Sequence, residues 1–101
     1  MLKKQVKVGT YVKLICKSKT SYWRRYNGQI GLITAVYYPH EDTYMAGFYV
    51  QWQDPNFIEN EGPTSCSYGW SEIRLFAIPT KEEVETILDL QRRRAHADKY
   101  M

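Results

Sequence analysis

The hydrophobic period of this sequence changes once, at Pro79, and that change bounds the fold more tightly than any other feature. Before it, apolar residues alternate in short runs set between turn residues, the pattern of strands with one buried face. After it they recur every three to four residues, the pattern of an amphipathic helix. In Tyr11–Cys16, Val12, Leu14 and Cys16 alternate with Tyr11, Lys13 and Ile15. Asn27-Gly28 is a turn signal that leads into Gln29–Tyr38, the longest strand candidate, where Gly31 suits a bend or bulge. In Gly47–Gln53, Phe48, Val50 and Trp52 share one side. Asp54–Ser65 holds two prolines, a glycine and three acids and reads as an irregular acidic loop. A short strand at Cys66–Tyr68, a turn or single helical turn at Gly69–Glu72 and a fifth strand at Arg74–Ile78 follow.

Beyond Pro79, Thr80 with Glu83 three positions later forms a capping box, and Glu82 and Glu83 set negative charge at a helix N-terminus. The helix is predicted over Lys81 to Ala97. Val84, Ile87, Leu88, Gln91 and Ala95 fall on one stripe with Leu90 at its margin, a face for packing on the sheet or on a partner. Four or five short curled strands in about 75 residues, then a helix, predict a mainly β fold, a small partly open barrel with a C-terminal amphipathic α-helix. A length of 101 residues suits one domain overall, with the barrel over residues 1–78 and the helix over 79–101.

The net charge of +3 conceals a segregation. Lys3, Lys4, Lys7, Lys13, Lys17, Lys19, Arg24 and Arg25 precede the first acid, whereas Glu41, Asp42, Asp54, Glu59 and Glu61 follow with no base among them. No apolar run approaches the roughly 20 residues that span a bilayer, and no signal-peptide core follows the basic start, so a cytoplasmic protein without membrane insertion is expected. Cys16 and Cys66 lack zinc-knuckle or disulfide-scaffold spacing and are expected as reduced thiols. His40 and His96 have no nucleophile at a motif spacing. No enzyme activity, cofactor or metal site is expected.

The order of elements resembles SH3-like small barrels, through two families. Gly9-x-x-Val12-x-Leu14-Ile15, then Gly28-x-x-Gly31-Leu32-Ile33-x-x-Val36, resembles the first two strands of the KOW-type barrels of transcription elongation factors and ribosomal proteins. Gly9-x-x-Val12, Ser21-Tyr22-Trp23 with Gly28 five residues after the tryptophan, Tyr49-Val50-Gln51-Trp52 and Ser71-Glu72-Ile73-Arg74-Leu75 resemble, over Val8 to Leu75, the PsaE-type stromal subunits of photosystem I. The resemblance implies an SH3-like barrel of about five strands. In the PsaE family a basic face helps to receive an acidic electron carrier such as ferredoxin, and Lys13, Lys17, Arg24 and Arg25 occupy comparable regions. The acidic stretch Asp54–Pro63 and the helix after Pro79 have no counterpart there.

The loop from Lys17 to Tyr26 interleaves bases with aromatic rings, and cations that neutralise phosphates beside rings that stack on bases make a nucleic-acid surface. Either its aromatics present such a surface, or Tyr22 or Trp23 turns inward and the bases form a solvated rim. The expected partner-binding residues are Lys13, Lys17, Lys19, Tyr22, Trp23, Arg24, Arg25 and Tyr26, with Arg92, Arg93 and Arg94 as a second contact. Two functions stay open for a non-catalytic binding module. One is an accessory factor docking on a nucleic-acid or nucleoprotein machine. The other is a protein–protein docking subunit, PsaE-like or a viral factor modifying a host complex, whose basic face meets an acidic protein. Self-association through the acidic segment is a further option.

Overall fold

The computed structural model describes residues 1–17, 20, 22–37, 47–61 and 64–100, with the backbone alone at 22, 23, 61 and 98–100. Its strands are β1 (Tyr11–Leu14), β2 (Ile30–Tyr37), β3 (Gly47–Trp52), β4 (Ser65–Gly69) and β5 (Phe76–Ala77), and its α-helices are α1 (Pro55–Glu61) and α2 (Lys81–Tyr100). Tight 3-10 turns occupy Lys3–Gln5, Tyr22–Tyr26 and Trp70–Leu75. The strands form one antiparallel sheet in the order β4-β3-β2-β1-β5.

The expected SH3-like, mainly β barrel does not form. The sheet is open, with β4 and β5 at its opposite ends and no ladder between them among the described residues, and the fold is mixed α/β. Barrel closure needs a strand at each edge long enough to pair. Arg74 and Leu75, expected to begin the fifth strand, are wound into the 3-10 turn, which leaves β5 two residues long. The Phe76 carbonyl on its outer edge accepts a hydrogen bond from Met1 N at 2.9 Å. The KOW-type and PsaE-type resemblances therefore fail as descriptions of the architecture.

Alternation buries one face of each long strand. Val12, Leu14, Ile33, Phe48, Val50 and Trp52 join Val6, Tyr26, Tyr68 and Phe76 at the centre of the core, each at most 2 % exposed. The register between β2 and β3 shifts between Ile33 and Ala35, so the irregularity expected at Gly31 falls at Thr34. Gly31 serves close packing instead: a Cβ there would overlap Val50 Cγ1 and lie 3.2 and 3.3 Å from the Trp52 ring. Gly47, at φ +152°, is held against the backbone of Tyr68 and Gly69.

The acidic stretch read as an irregular loop contains α1. Asp54 Oδ1 accepts the Asn56 N–H at 3.0 Å, and Pro55 occupies the first helical position, where its missing N–H costs nothing. At α2 the capping box forms in full: Glu83 N donates to Thr80 Oγ1 at 3.1 Å and Thr80 N donates to Glu83 Oε1 at 3.0 Å. Polar contacts tether α2 to the rest of the chain. Glu83 receives Lys13 Nζ, Gln91 Nε2 donates to both the carbonyl and the side chain of Gln53 at 2.9 Å, and Arg94 donates to Asn56 and Glu59. Val84, Ile87, Leu88 and Leu90 are only half-buried, and Ala95 is exposed. The molecule measures 50 × 29 × 24 Å, in keeping with the last turns of α2, exposed from 92 to 97, standing clear of the sheet.

Candidate binding surface

The β1–β2 connection is closed by hydrogen bonds that run across its base. Cys16 N donates to Asn27 Oδ1 at 2.9 Å and Gly28 N to the Leu14 carbonyl at 2.7 Å, with Gly28 at φ +84°. Tyr26 ends the 3-10 turn with its ring wholly buried. It stacks on Trp52 at 5.3 Å between centroids and meets the edge of Phe57 at 5.4 Å. Tyr26, expected at the partner surface, is instead a core residue. The loop's polar composition hides this, because burial of one ring by α1 and β3 leaves no local signature. Lys19 and the side chains of Tyr22 and Trp23 lie outside the described residues. Arg24 and Arg25 are exposed on the same turn.

The other expected bases are held by acids of the same chain. Lys13 pairs with Glu83, Arg94 with Glu59, Arg93 Nε with Asp89 at 3.0 Å, and Arg92 lies 3.9 Å from Asp89. The triple arginine is therefore largely offset by α1 and by its own helix. Lys3, which sequence reasoning did not select, lies 4.6 Å above the Trp70 ring, a cation–π contact. Lys13 holds the Glu83 carboxyl below the ordinary carboxylate range, with the Thr80 N–H adding to the effect. Burial pushes the Tyr68 phenol far up, with Cys66 next to it adding to the rise, so it stays protonated.

Lys17 differs from these. It borders an open groove of about 490 Å³ whose other lining residues are Ile15, Arg74, Leu75, Phe76 and Ala77. Two exposed cations thus flank an apolar floor, and among the described residues no carboxylate lines it. Sequence reasoning missed Arg74 because residues 15–17 and 74–77 meet only through the β1–β5 ladder, in which Leu14 pairs with Phe76 and Ile15 N donates to the Leu75 carbonyl at 2.7 Å. A second exposed feature lies on the outer side of the sheet. There Tyr37 and Tyr49 meet edge to face at 5.7 Å, both at least 38 % exposed.

Both cysteines are free thiols. Among the described residues no group of three His, Cys, Asp or Glu side chains could hold a metal ion, and no helix is long and apolar enough to cross a membrane. Comparison with protein-family models, with curated proteins and with solved structures finds no match to this chain.

Proposed function

We propose that this chain is a non-catalytic nucleic-acid-binding module that grips a single strand at the groove flanked by Lys17 and Arg74, with the exposed Arg24 and Arg25 of the β1–β2 connection as further contacts. One observation supports the reading above the rest. Lys17 and Arg74 flank an apolar groove that no carboxylate lines among the described residues, while Lys13 and the arginines of α2 are engaged with acids. A strand needs both elements, since cations meet its phosphates and an apolar floor receives the faces of unstacked bases.

The test is fluorescence anisotropy with labelled single-stranded RNA and DNA oligonucleotides of about 12 to 20 nucleotides across a salt series, on the wild type and on K17E/R74E. Affinity falls with salt, and the loss of two phosphate contacts in the charge-reversed variant flattens the slope of log K against log salt by about 1.4. The variant R92E/R93E binds with smaller losses. Absence of binding at low salt, or a K17E/R74E affinity equal to wild type, overturns the proposal. If oligonucleotides fail to bind while an acidic protein from the native cell is retained after nuclease treatment and lost in K17E/R74E, the protein-docking reading takes its place.

A further inference from the structure

The two ends of the open sheet are finished differently. At β5 the outer edge is two residues long, and its Phe76 carbonyl is taken by Met1 N. At β4 the edge is five residues long, Ser65-Cys66-Ser67-Tyr68-Gly69, with no proline and no charge. Sheet edges are commonly blunted by lysine, proline, a bulge or shortness, because a bare edge invites another strand. β4 carries none of these devices.

The groups it exposes follow from register. In an antiparallel ladder, residues alternate between those that bond their neighbour and those whose N–H and C=O point away. Trp52 N donates to the Thr64 carbonyl at 2.9 Å, which sets Thr64 as a bonded position. The β3–β4 register is regular, pairing Val50 with Cys66 and Phe48 with Tyr68, so those residues face β3. Ser65, Ser67 and Gly69 therefore turn their backbone groups outward. Gly69 N is satisfied by Glu72 Oε1 at 3.0 Å, but among the described residues the outward N–H and C=O of Ser65 and Ser67 have no partner. Both side chains are small and exposed, and so leave the edge open to approach.

We propose that β4 is the self-association edge of this protein, pairing antiparallel with β4 of a second copy about a twofold axis through Ser67. The strand is its own complement in that arrangement. Ser67 N–H meets the Ser67 carbonyl of the other copy in both directions, and Ser65 N–H meets the Gly69 carbonyl, the acceptor that Glu72 leaves available. An uncharged strand brings no like charges together at the axis, which a second copy of any charged strand would do. The outer sheet positions beside it, Tyr49 and Gln51, are uncharged as well. A contact this short falls below the roughly 1,200 Å² of standard interfaces, so the dimer is weak and concentration-dependent.

The register also supplies a sharp test. Proline at position 67 removes an outward donor while sparing the bonds to β3, and edge strands tolerate proline on that side. Sedimentation velocity on the full chain from about 5 µM to about 1 mM, a range that brackets a weak association, is run on wild type, S67P and S67K. Circular dichroism and thermal melts verify the fold of each variant. The expected result is a wild type whose mass rises toward double with concentration, and two folded variants that stay monomeric over the whole range. S67K places two ammonium groups at the axis, so it tests the contact even where S67P loses stability. A wild type that stays monomeric throughout overturns the proposal, and so does a dimer that survives in folded S67K.

Discussion

Gly31→Ala separates two opposed expectations at one position. Alanine in place of an ordinary strand glycine gains stability, by about 0.5 to 1 kcal/mol, because the unfolded chain loses freedom. At Gly31 the added Cβ overlaps Val50 Cγ1 and crowds Trp52 Cε3 and Cζ3, in a core where Val50 is fully buried. Valine is stiff about χ1 and cannot swing that methyl away cheaply. Overpacking of this kind costs about 2 kcal/mol, which in a chain this size lowers the melting temperature by roughly 8 to 16 °C. Val50→Ala alone leaves a void and costs a similar amount, about 2 kcal/mol. Combined, the methyl added at position 31 fills the space that the Val50 side chain vacates, so the double variant loses about 1 to 2 kcal/mol less than the sum of the two. Urea unfolding followed by tryptophan fluorescence measures all four corners of the cycle. A Gly31→Ala variant as stable as wild type, or additive single effects, refutes the close approach of β2 and β3 at this point.

Gly47→Ala is the more severe change, since its Cβ meets the Tyr68 carbonyl at a φ that L-residues avoid, and loss of the cooperative thermal transition is the expected reading. Tyr26→Ala costs about 3 to 5 kcal/mol by denaturant titration, whereas Tyr26→Phe stays folded and binds oligonucleotides as wild type does; a selective loss of binding in the phenylalanine variant contradicts its burial. Glu83 has its carboxyl held below the usual value near 4.5, so it contributes stability above that pH and loses it as the pH falls through its lowered folded value. Glu83→Gln is therefore less stable than wild type at neutral pH, and the gap closes in acid, read by thermal melts between about pH 2 and pH 7. Thr80→Ala removes the other half of the capping box and costs about 1 kcal/mol, seen first as faster amide exchange in the opening turn of α2.

The sequence disclosed most where the signal was local. Strands β1, β2 and β3 lie inside the alternating runs, and Thr80 and Glu83 cap α2 as their spacing predicts. α1 was legible too: Asp54-Pro55 is a cap followed by a first-position proline, but prolines, glycine and acids around it favoured a loop reading. Architecture was not legible. Whether the sheet closes depends on where Arg74 and Leu75 wind, and no pattern in Arg74–Ile78 distinguishes a strand from a 3-10 turn running into one. The candidate surface was half visible for the same reason. Lys17 stood out in a basic run, whereas its companion Arg74 is 57 positions away and joins it only through pairing of β1 with β5. Charge segregation along the chain also gave a false guide in space, because Glu59, Glu83 and Asp89 pair with four of the bases assigned to a partner.

The hydrogen bonds between Cys16 and Asn27 and between Leu14 and Gly28 act as a clasp at the neck of the β1–β2 connection. The chain between them is already closed into a ring by the fold, and burial of Tyr26 pins the Tyr22–Tyr26 turn against the core, so length is nearly a free parameter only ahead of that turn. Each doubling adds only about 0.6 kcal/mol of closure entropy. This is accordingly the place where the protein can accept foreign sequence, a reporter peptide or an extended basic segment, without the sheet registering the change. Arg24 and Arg25, set just inside the clasp, would keep their footing while the ring beyond them grew.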